Sequence, residues 1–428
     1  MERMVSKATA ATIINSLRGG VVPRTGLEYI TVGRRDEINA LLNDVDIIEQ
    51  GGATFRFLVG KYGSGKTFLM HALRNCVCER GFVVSDVEIT NERRFAGNKG
   101  QGLGTYRCLM ENLATQSKPD SGALQLILEK WISRIQNQVV QTEGITPDHN
   151  EFAMKVGQKI FDVSTRMSEQ VNGFVFGKII FLYYQAFITS NEERKQSILK
   201  WLRGEYKTKT DARNELGVDL IVTDDNWYEF LKLFAVFVTQ AGFKGLYVCF
   251  DELANIYTIP SKIGREYNYN KILAIYNDIL QGNAKHLGIL MSNTPTGMED
   301  EQRGIFSYPA LRTRIQDSKF VQARMVDMTA PIIHIKPLNP GELYVLVEKI
   351  TAIHADLYDY EPKIGHDEFI SYLRLEYGKM QSVEGGTVRD IIRNFITILN
   401  LKYQHPNKSM EFILTTQDRM EEKEKVLA

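Results

Sequence analysis

Gly60-Lys61-Tyr62-Gly63-Ser64-Gly65-Lys66-Thr67 is the stretch on which the reading of this chain turns. Before it stands Phe55-Arg56-Phe57-Leu58-Val59, a short apolar run of strand character. After it comes Phe68-Leu69-Met70-His71-Ala72-Leu73-Arg74, of helical composition and free of breakers. The octapeptide is G-x-x-x-x-G-K-T between a strand and a helix, the setting in which that spacing makes a phosphate-binding loop. Its glycines let the backbone turn N–H groups inward, where they join the helix N-terminus in an anion cradle. Lys66 reaches the β- and γ-phosphates in such a loop, and the Thr67 hydroxyl takes a place on Mg²⁺. A chance glycine-rich turn has no reason to carry both flanks. The expected nucleotide contacts here are Gly60, Tyr62, Gly63, Ser64, Gly65, Lys66, Thr67 and Phe68.

The rest of the composition suits a protein built around such a site. A chain of 428 residues with 43% apolar residues supports two or three domains with real cores. Lys+Arg and Asp+Glu both number 52, so the net charge is zero, unlike that of a protein that coats nucleic acid. DNA contact through a local groove stays open, but charge does not indicate it. The four cysteines, Cys76, Cys78, Cys108 and Cys249, have no zinc spacing and read as reduced thiols of a cytoplasmic protein. No apolar run approaches the roughly 18 to 20 residues that span a bilayer. Phe174–Tyr184 comes nearest, and it is short and interrupted by Lys178.

Outward from the loop, Ala10, Ile13, Ile14 and Leu17 predict a short amphipathic helix ended by Gly19-Gly20. Val32-Gly33-Arg34-Arg35-Asp36-Glu37-Ile38 reads as a turn into a helix. Residues 82–89 predict a second strand. From 91 to 226 the sequence is polar and mostly helical by pattern, with helices expected over 124–138, 151–171 and 193–202. That is far longer than the loops of doubly wound units, which predicts an insertion with its own fold. Gly97 to Gly104 reads as a flexible surface linker.

Lys244-Gly245-Leu246-Tyr247-Val248-Cys249-Phe250-Asp251-Glu252 is an apolar run ending in two carboxylates, as a buried strand presents acids at its C-terminal edge. Asp251 is the expected Mg²⁺ holder and Glu252 the group that orients the attacking water. Leu287–Met291 predicts another strand, followed by Ser292-Asn293-Thr294-Pro295. Asn293 is the polar residue expected beside the acids, with Ser292 next to it in claim. Arg312 and Arg314 are spaced i, i+2, so one is expected to pack locally while the other reaches a phosphate from a neighbouring subunit. The alternative is a solvated surface pair. His334, alone in the apolar run 331–338, reads as a core residue. Asn339, Pro340 and Glu342 predict a capped helix start, and helices are expected over 343–353, 367–377 and 388–401. Thr387 is an expected N-cap, and Arg389 sits in the first turn, where the dipole disfavours a cation. Arg389 is therefore expected to meet an anion, either a γ-phosphate or a carboxylate. The charged tail 418–425 reads as exposed helix or disorder.

Together these segments resemble the AAA+ ATPases, closest to the initiator-like and STAND neighbourhood, over about 25–90 and 227–402. The resemblance implies an α/β fold: a three-layer αβα P-loop core at 51–336, a helical insertion at 91–226 and a helical lid and tail at 337–428. The N-terminal helix and an adenine-side segment fill 1–50, with Val32 and Gly33 over the adenine. More narrowly, Asn91-Glu92-Arg93-Arg94-Phe95 and Leu109-Met110-Glu111-Asn112-Leu113 resemble the BrxD family, ATP-binding proteins of some BREX bacteriophage-exclusion systems. Too few residues follow Leu401 for the winged helix through which initiators reach DNA. The implied function is an ATP- and Mg²⁺-dependent ATPase that forms a homo-oligomer or a hetero-assembly with other defence proteins, with Glu252, Asn293, Arg312, Arg314 and Arg389 completing its chemistry. The alternative is a slow-hydrolysing switch or scaffold that docks a protein partner. A small-molecule kinase is the third reading, which Glu252 beside Asp251 argues against.

Overall fold

In a computed structural model of the chain, residues 5–167, 172–318, 326–381 and 386–414 are described. The charged tail 418–425 lies outside them. The chain is α/β. Five strands, β1 (Ala53–Gly60), β2 (Val83–Glu88), β3 (Leu246–Asp251), β4 (Leu287–Asn293) and β5 (Ile332–Ile335), form one sheet in the order β2-β3-β4-β1-β5. The pairs β2–β3, β3–β4 and β1–β4 are parallel. β3 and β4 are buried almost throughout, as their apolar runs Leu246–Phe250 and Leu287–Met291 demand of strands covered on both faces.

The described chain divides into two compact units. One contains Asn39–Val59 and Leu73–Ile333, and so carries most of the sheet. Its core runs without a break from strand residues Phe57, Val248 and Met291 into Trp131, Trp201, Trp227 and Phe237 of the helical stretch. Helices there are Gln101–Glu111, Leu124–Glu143, Phe152–Met167, Gly173–Ile188, Glu192–Leu202, Lys209–Leu216 and Trp227–Gln240. The stretch 91–226 thus packs on the sheet through a shared core. The end of the helix expected over 151–171 falls outside the described residues.

Gly97 to Gly104 is not a linker throughout. Gln101–Glu111 is helical, and Gly102 is buried in it where a Cβ would stand 2.9 Å from the Phe95 carbonyl and 2.9 Å from Trp227 Nε1. The glycine serves close approach of a helix, and the glycine-rich composition alone does not separate that use from flexibility.

The other unit gathers the chain up to Ile38, Gly60–Ala72 and the described chain from His334 onward. Helix Lys7–Arg18 buries Ala10, Ile13, Ile14 and Leu17, the four residues of the apolar stripe. They pack with Leu343, Val347, Phe395 and Leu399 of helices Pro340–Tyr358 and Val388–Gln404. Both of these helices open on capping boxes: Asn339 with Glu342, and Thr387 with Asp390. Each box satisfies two backbone donors that a helix start otherwise leaves orphaned.

Candidate functional site

β1 runs directly into the octapeptide, and helix Lys66–Glu79 begins at its lysine. Gly63 and Gly65 have φ of 74° and 91°, a left-handed backbone that Gly adopts without strain. Gly60 is needed for space, since a Cβ there would lie 2.5 Å from Ser64 Oγ and 2.9 Å from the Ile335 carbonyl. Lys66 is buried, and its Nζ donates to the carbonyls of Gly60 (2.9 Å) and Lys61 (3.1 Å). Its ammonium is therefore folded across the loop that the phosphates of a nucleotide would enter. Thr67 and Phe68 occupy the first turn of the helix.

Arg34 is the first arginine of the Val32–Ile38 segment, and the sequence assigns its side chain no contact. It is buried, and its Nη2 donates to the Ser64 carbonyl at 2.9 Å and the Lys336 carbonyl at 2.8 Å. Nη1 faces Glu37 at 3.3 Å. This guanidinium ties the loop to the strand end beside it, using the fork of donors that distinguishes Arg from Lys. The signal is the arginine that follows Val32-Gly33 in that segment, of which only the valine and the glycine are expected nucleotide contacts. Gly33 has φ 67°, and a Cβ there would come within 2.3 Å of Glu342 Oε1. Val32 and Phe68 pack at the margin of the same apolar cluster.

Arg389 donates from Nη1 to the Tyr62 hydroxyl at 2.9 Å, and its guanidinium lies 5.3 Å from the centre of the Tyr62 ring. The expected anion is thus replaced here by a phenol oxygen and an aromatic face, both suited to a guanidinium. Thr387 stands against the loop as well, because a Cβ on Gly63 would fall 2.7 Å from the Thr387 Cβ. The Thr387 hydroxyl also donates to Asp390 and holds that carboxyl below its ordinary range.

In the sheet-bearing unit, the acids stand at the C-terminal end of β3. Asp251 Oδ1 accepts from the Glu252 N–H at 2.9 Å and from the Ser292 hydroxyl. Ser292 Oγ in turn lies 3.2 Å from the Glu252 N–H. Glu252 has φ 59°, left-handed backbone that is uncommon for a residue with a side chain and is found disproportionately at functional sites. Burial, reinforced by Asp86, pushes the Cys249 thiol far up, so it fills space as a neutral group. Asn293 is buried and lies opposite Val59 in the β4–β1 register, one residue before the loop begins. Its Oδ1 accepts from the Thr294 N–H at 2.9 Å, and its Nδ2 is buried without a hydrogen-bond partner. Ser292, second in claim from the sequence, is the residue that touches the acids.

The two arginines of helix Pro309–Ile315 differ. Arg312 pairs with Glu301 at 2.8 Å and lies over the Phe306 ring. Arg314 is exposed, and its Nη1 bonds the Ala310 carbonyl of its own helix at 2.6 Å. The loop residues and Arg389 are thus brought together in one unit, and Asp251, Glu252 and Asn293 cluster in the other, while Arg312 is engaged locally. Among the described residues no group of three His, Cys, Asp or Glu is set to hold a metal.

The family model for the BREX system ATP-binding protein BrxC/D matches residues 5–418. The chain belongs to that family. It is accordingly an ATP-binding protein of a BREX anti-phage defence system. Among solved structures, it is similar to the ORC1 protein of Aeropyrum pernix in complex with DNA, with a TM-score of 0.41 and 9% identity. That match covers 94% of this chain and 69% of the other. No curated protein sequence matches. No helix among the described residues is long and apolar enough to cross a membrane.

Proposed function

We propose that the protein hydrolyses the ATP it binds and uses the nucleotide cycle to drive or gate an assembly of defence proteins, in the cytoplasm. The observation that carries this reading is Glu252: a glutamate in left-handed backbone, fixed at its N–H by Asp251 and Ser292. A protein that only held ATP would have no need to hold a glutamate in left-handed backbone directly after the acid of a buried strand. In this reading the loop amides and Lys66 hold the β- and γ-phosphates, and Glu252 orients and polarises the attacking water. Asn293, with a buried amide nitrogen that lacks a partner, supplies a donor for the γ-phosphate or the water. Arg389 leaves Tyr62 to meet the phosphate charge, and an arginine from a neighbouring copy completes the site. The Thr67 hydroxyl and the Asp251 carboxylate are hard oxygen donors of the kind that hold Mg²⁺, with phosphate oxygens and water filling the other positions. When bound, that ion would neutralise charge on the phosphates.

Purified protein should bind a fluorescent ATP analogue and release phosphate. Lys66→Ala should lose binding, whereas Glu252→Gln should bind as the wild type does while turnover drops by about two orders of magnitude or more. Turnover retained in Glu252→Gln would remove the glutamate from the chemistry. A wild type that binds without turning over would favour the switch or scaffold.

A further inference from the structure

The chain that leaves β3 and the chain that leaves β2 are tied together by two side-chain amides, and one of them belongs to Asn255, three residues after Glu252. Asn255, half-buried in the short turn Ala254–Tyr257, donates from its own N–H to the Glu252 carbonyl at 3.0 Å. Its Nδ2 donates to the Ile89 carbonyl at 2.7 Å. Ile89 is no bystander, because its N–H donates to the Asp251 carbonyl at 2.9 Å. Three hydrogen bonds therefore close a ring through Asp251, Glu252, Asn255 and Ile89.

Beyond Ile89 the chain is pinned again. Thr90 Oγ1 accepts from the N–H groups of Glu92 and Arg93, which folds Asn91-Glu92-Arg93-Arg94 into a tight turn. Buried Asn268 of helix Lys262–Leu280 accepts from the N–H groups of Phe95 (2.9 Å) and Ala96 (3.1 Å), and donates from Nδ2 to the Gly264 carbonyl at 2.8 Å. The Phe95 ring lies 5.0 Å from that of Phe250, the residue before Asp251. The turn that opens the helical stretch is thus fastened to the strand bearing the acids and to the helix that follows them.

We infer that Asn255 is a positioning residue for Glu252, and that through Ile89 it makes the setting of that carboxylate depend on the Asn91–Phe95 turn. This rests on the hydrolytic reading above. The physical case is that left-handed backbone at a glutamate persists only where surrounding contacts over-determine it. The N–H of Glu252 is held by Asp251 and Ser292, and its carbonyl by Asn255. Without the amide of Asn255, the turn 252–255 keeps its backbone bond but loses its anchor to β2. A carboxylate displaced by about an ångström from the attacking water loses up to a hundredfold in rate, while phosphates held elsewhere bind as before.

The test compares Asn255→Ala and the near-isosteric Asn255→Asp with wild type, Glu252→Gln and the Glu252→Gln/Asn255→Ala double variant. ATP affinity, kcat and melting temperature are measured for each. Both single variants at Asn255 should lower kcat about 10- to 100-fold, with ATP affinity within about twofold and wild-type melting in at least Asn255→Asp. In the Glu252→Gln background, Asn255→Ala should cost little more, because a residue that acts through another is not additive with it. Asn255→Ser, which keeps a shorter donor, should recover part of the rate. An unchanged kcat in both single variants beside a dead Glu252→Gln overturns the role of Asn255 and leaves the hydrolytic reading standing. That role is equally overturned if kcat and ATP affinity fall together, or if the losses add fully in the double variant. Turnover retained in Glu252→Gln, or none in wild type, overturns the hydrolytic reading itself.

Discussion

At the scale of single residues, the difference between Ser292 and Asn293 shows what a strand can and cannot disclose in sequence. Two adjacent polar residues at a strand end point to opposite faces, so only one can meet the acids of the neighbouring strand. Hydrogen-bonding capacity favours Asn293 on sequence, and the register puts Ser292 against Asp251 and Glu252. Ser292→Ala removes a buried hydroxyl that donates to one acid and accepts from the backbone of the other. Such a loss is worth about 1 kcal/mol or somewhat more, so kcat for ATP should drop about five- to tenfold with little change in ATP affinity. Steady-state kinetics against ATP concentration checks this, and an unaltered kcat would mean that the serine only fills space. Arg34 carries a related lesson. Its role is to hold two carbonyls, and backbone acceptors leave no trace in a sequence.

At the scale of elements, what was legible was whatever follows from local chemistry. The octapeptide, the acid-tipped strand β3, the stripe of helix Lys7–Arg18 and the capping residues Asn339 and Thr387 all announce themselves within a few positions. What was not legible depends on distant partners. Position 102 needs a glycine because Phe95 and Trp227 press against its helix, and the helices between β2 and β3 join the core of the sheet through Trp131, Trp201 and Trp227. His354 of helix Pro340–Tyr358 belongs to the same class. It is fully buried, with Nδ1 2.9 Å from the Tyr360 hydroxyl, Nε2 3.2 Å from Asn400 Oδ1 and the Tyr358 ring 4.7 Å away. Burial lowers its pKa below the ordinary 6.5, although Asn400 works the other way. Below that pH the unfolded chain binds a proton that the fold resists. The stability this cluster supplies is therefore present above pH 6.5 and lost as pH falls through it toward the folded value. Between about pH 7.5 and about 5.5 the wild type should lose more melting temperature than His354→Gln does. Equal losses would show that the imidazole stays neutral in both states or gains a proton equally in both.

At the scale of the whole molecule, the open matter is what completes the site. With 52 basic and 52 acidic residues there is no excess charge to steer the protein onto nucleic acid, so protein partners are the simpler expectation. A second copy of the chain is the first to consider, and the two arginines of helix Pro309–Ile315 are unequal candidates to serve it. Arg312 is spent on Glu301 and Phe306, whereas Arg314 is exposed and its guanidinium bonds a carbonyl of its own helix. Exchanging that bond for a phosphate costs little, so Arg314 is the one expected to act in trans. Arg314→Ala should lower turnover by about a thousandfold, the scale at which such arginines work, and Arg312→Ala by much less. Mixing equal amounts of Lys66→Ala and Arg314→Ala subunits then becomes decisive. In a ring or dimer with random exchange, about one contact in four joins an intact loop to an intact arginine, so about a quarter of wild-type turnover should return. The mixture of Lys66→Ala with Glu252→Gln cannot recover in this way, since both lesions lie on the same side of the contact. If the Arg314→Ala mixture is as inactive as that control, the arginine does not serve a neighbour.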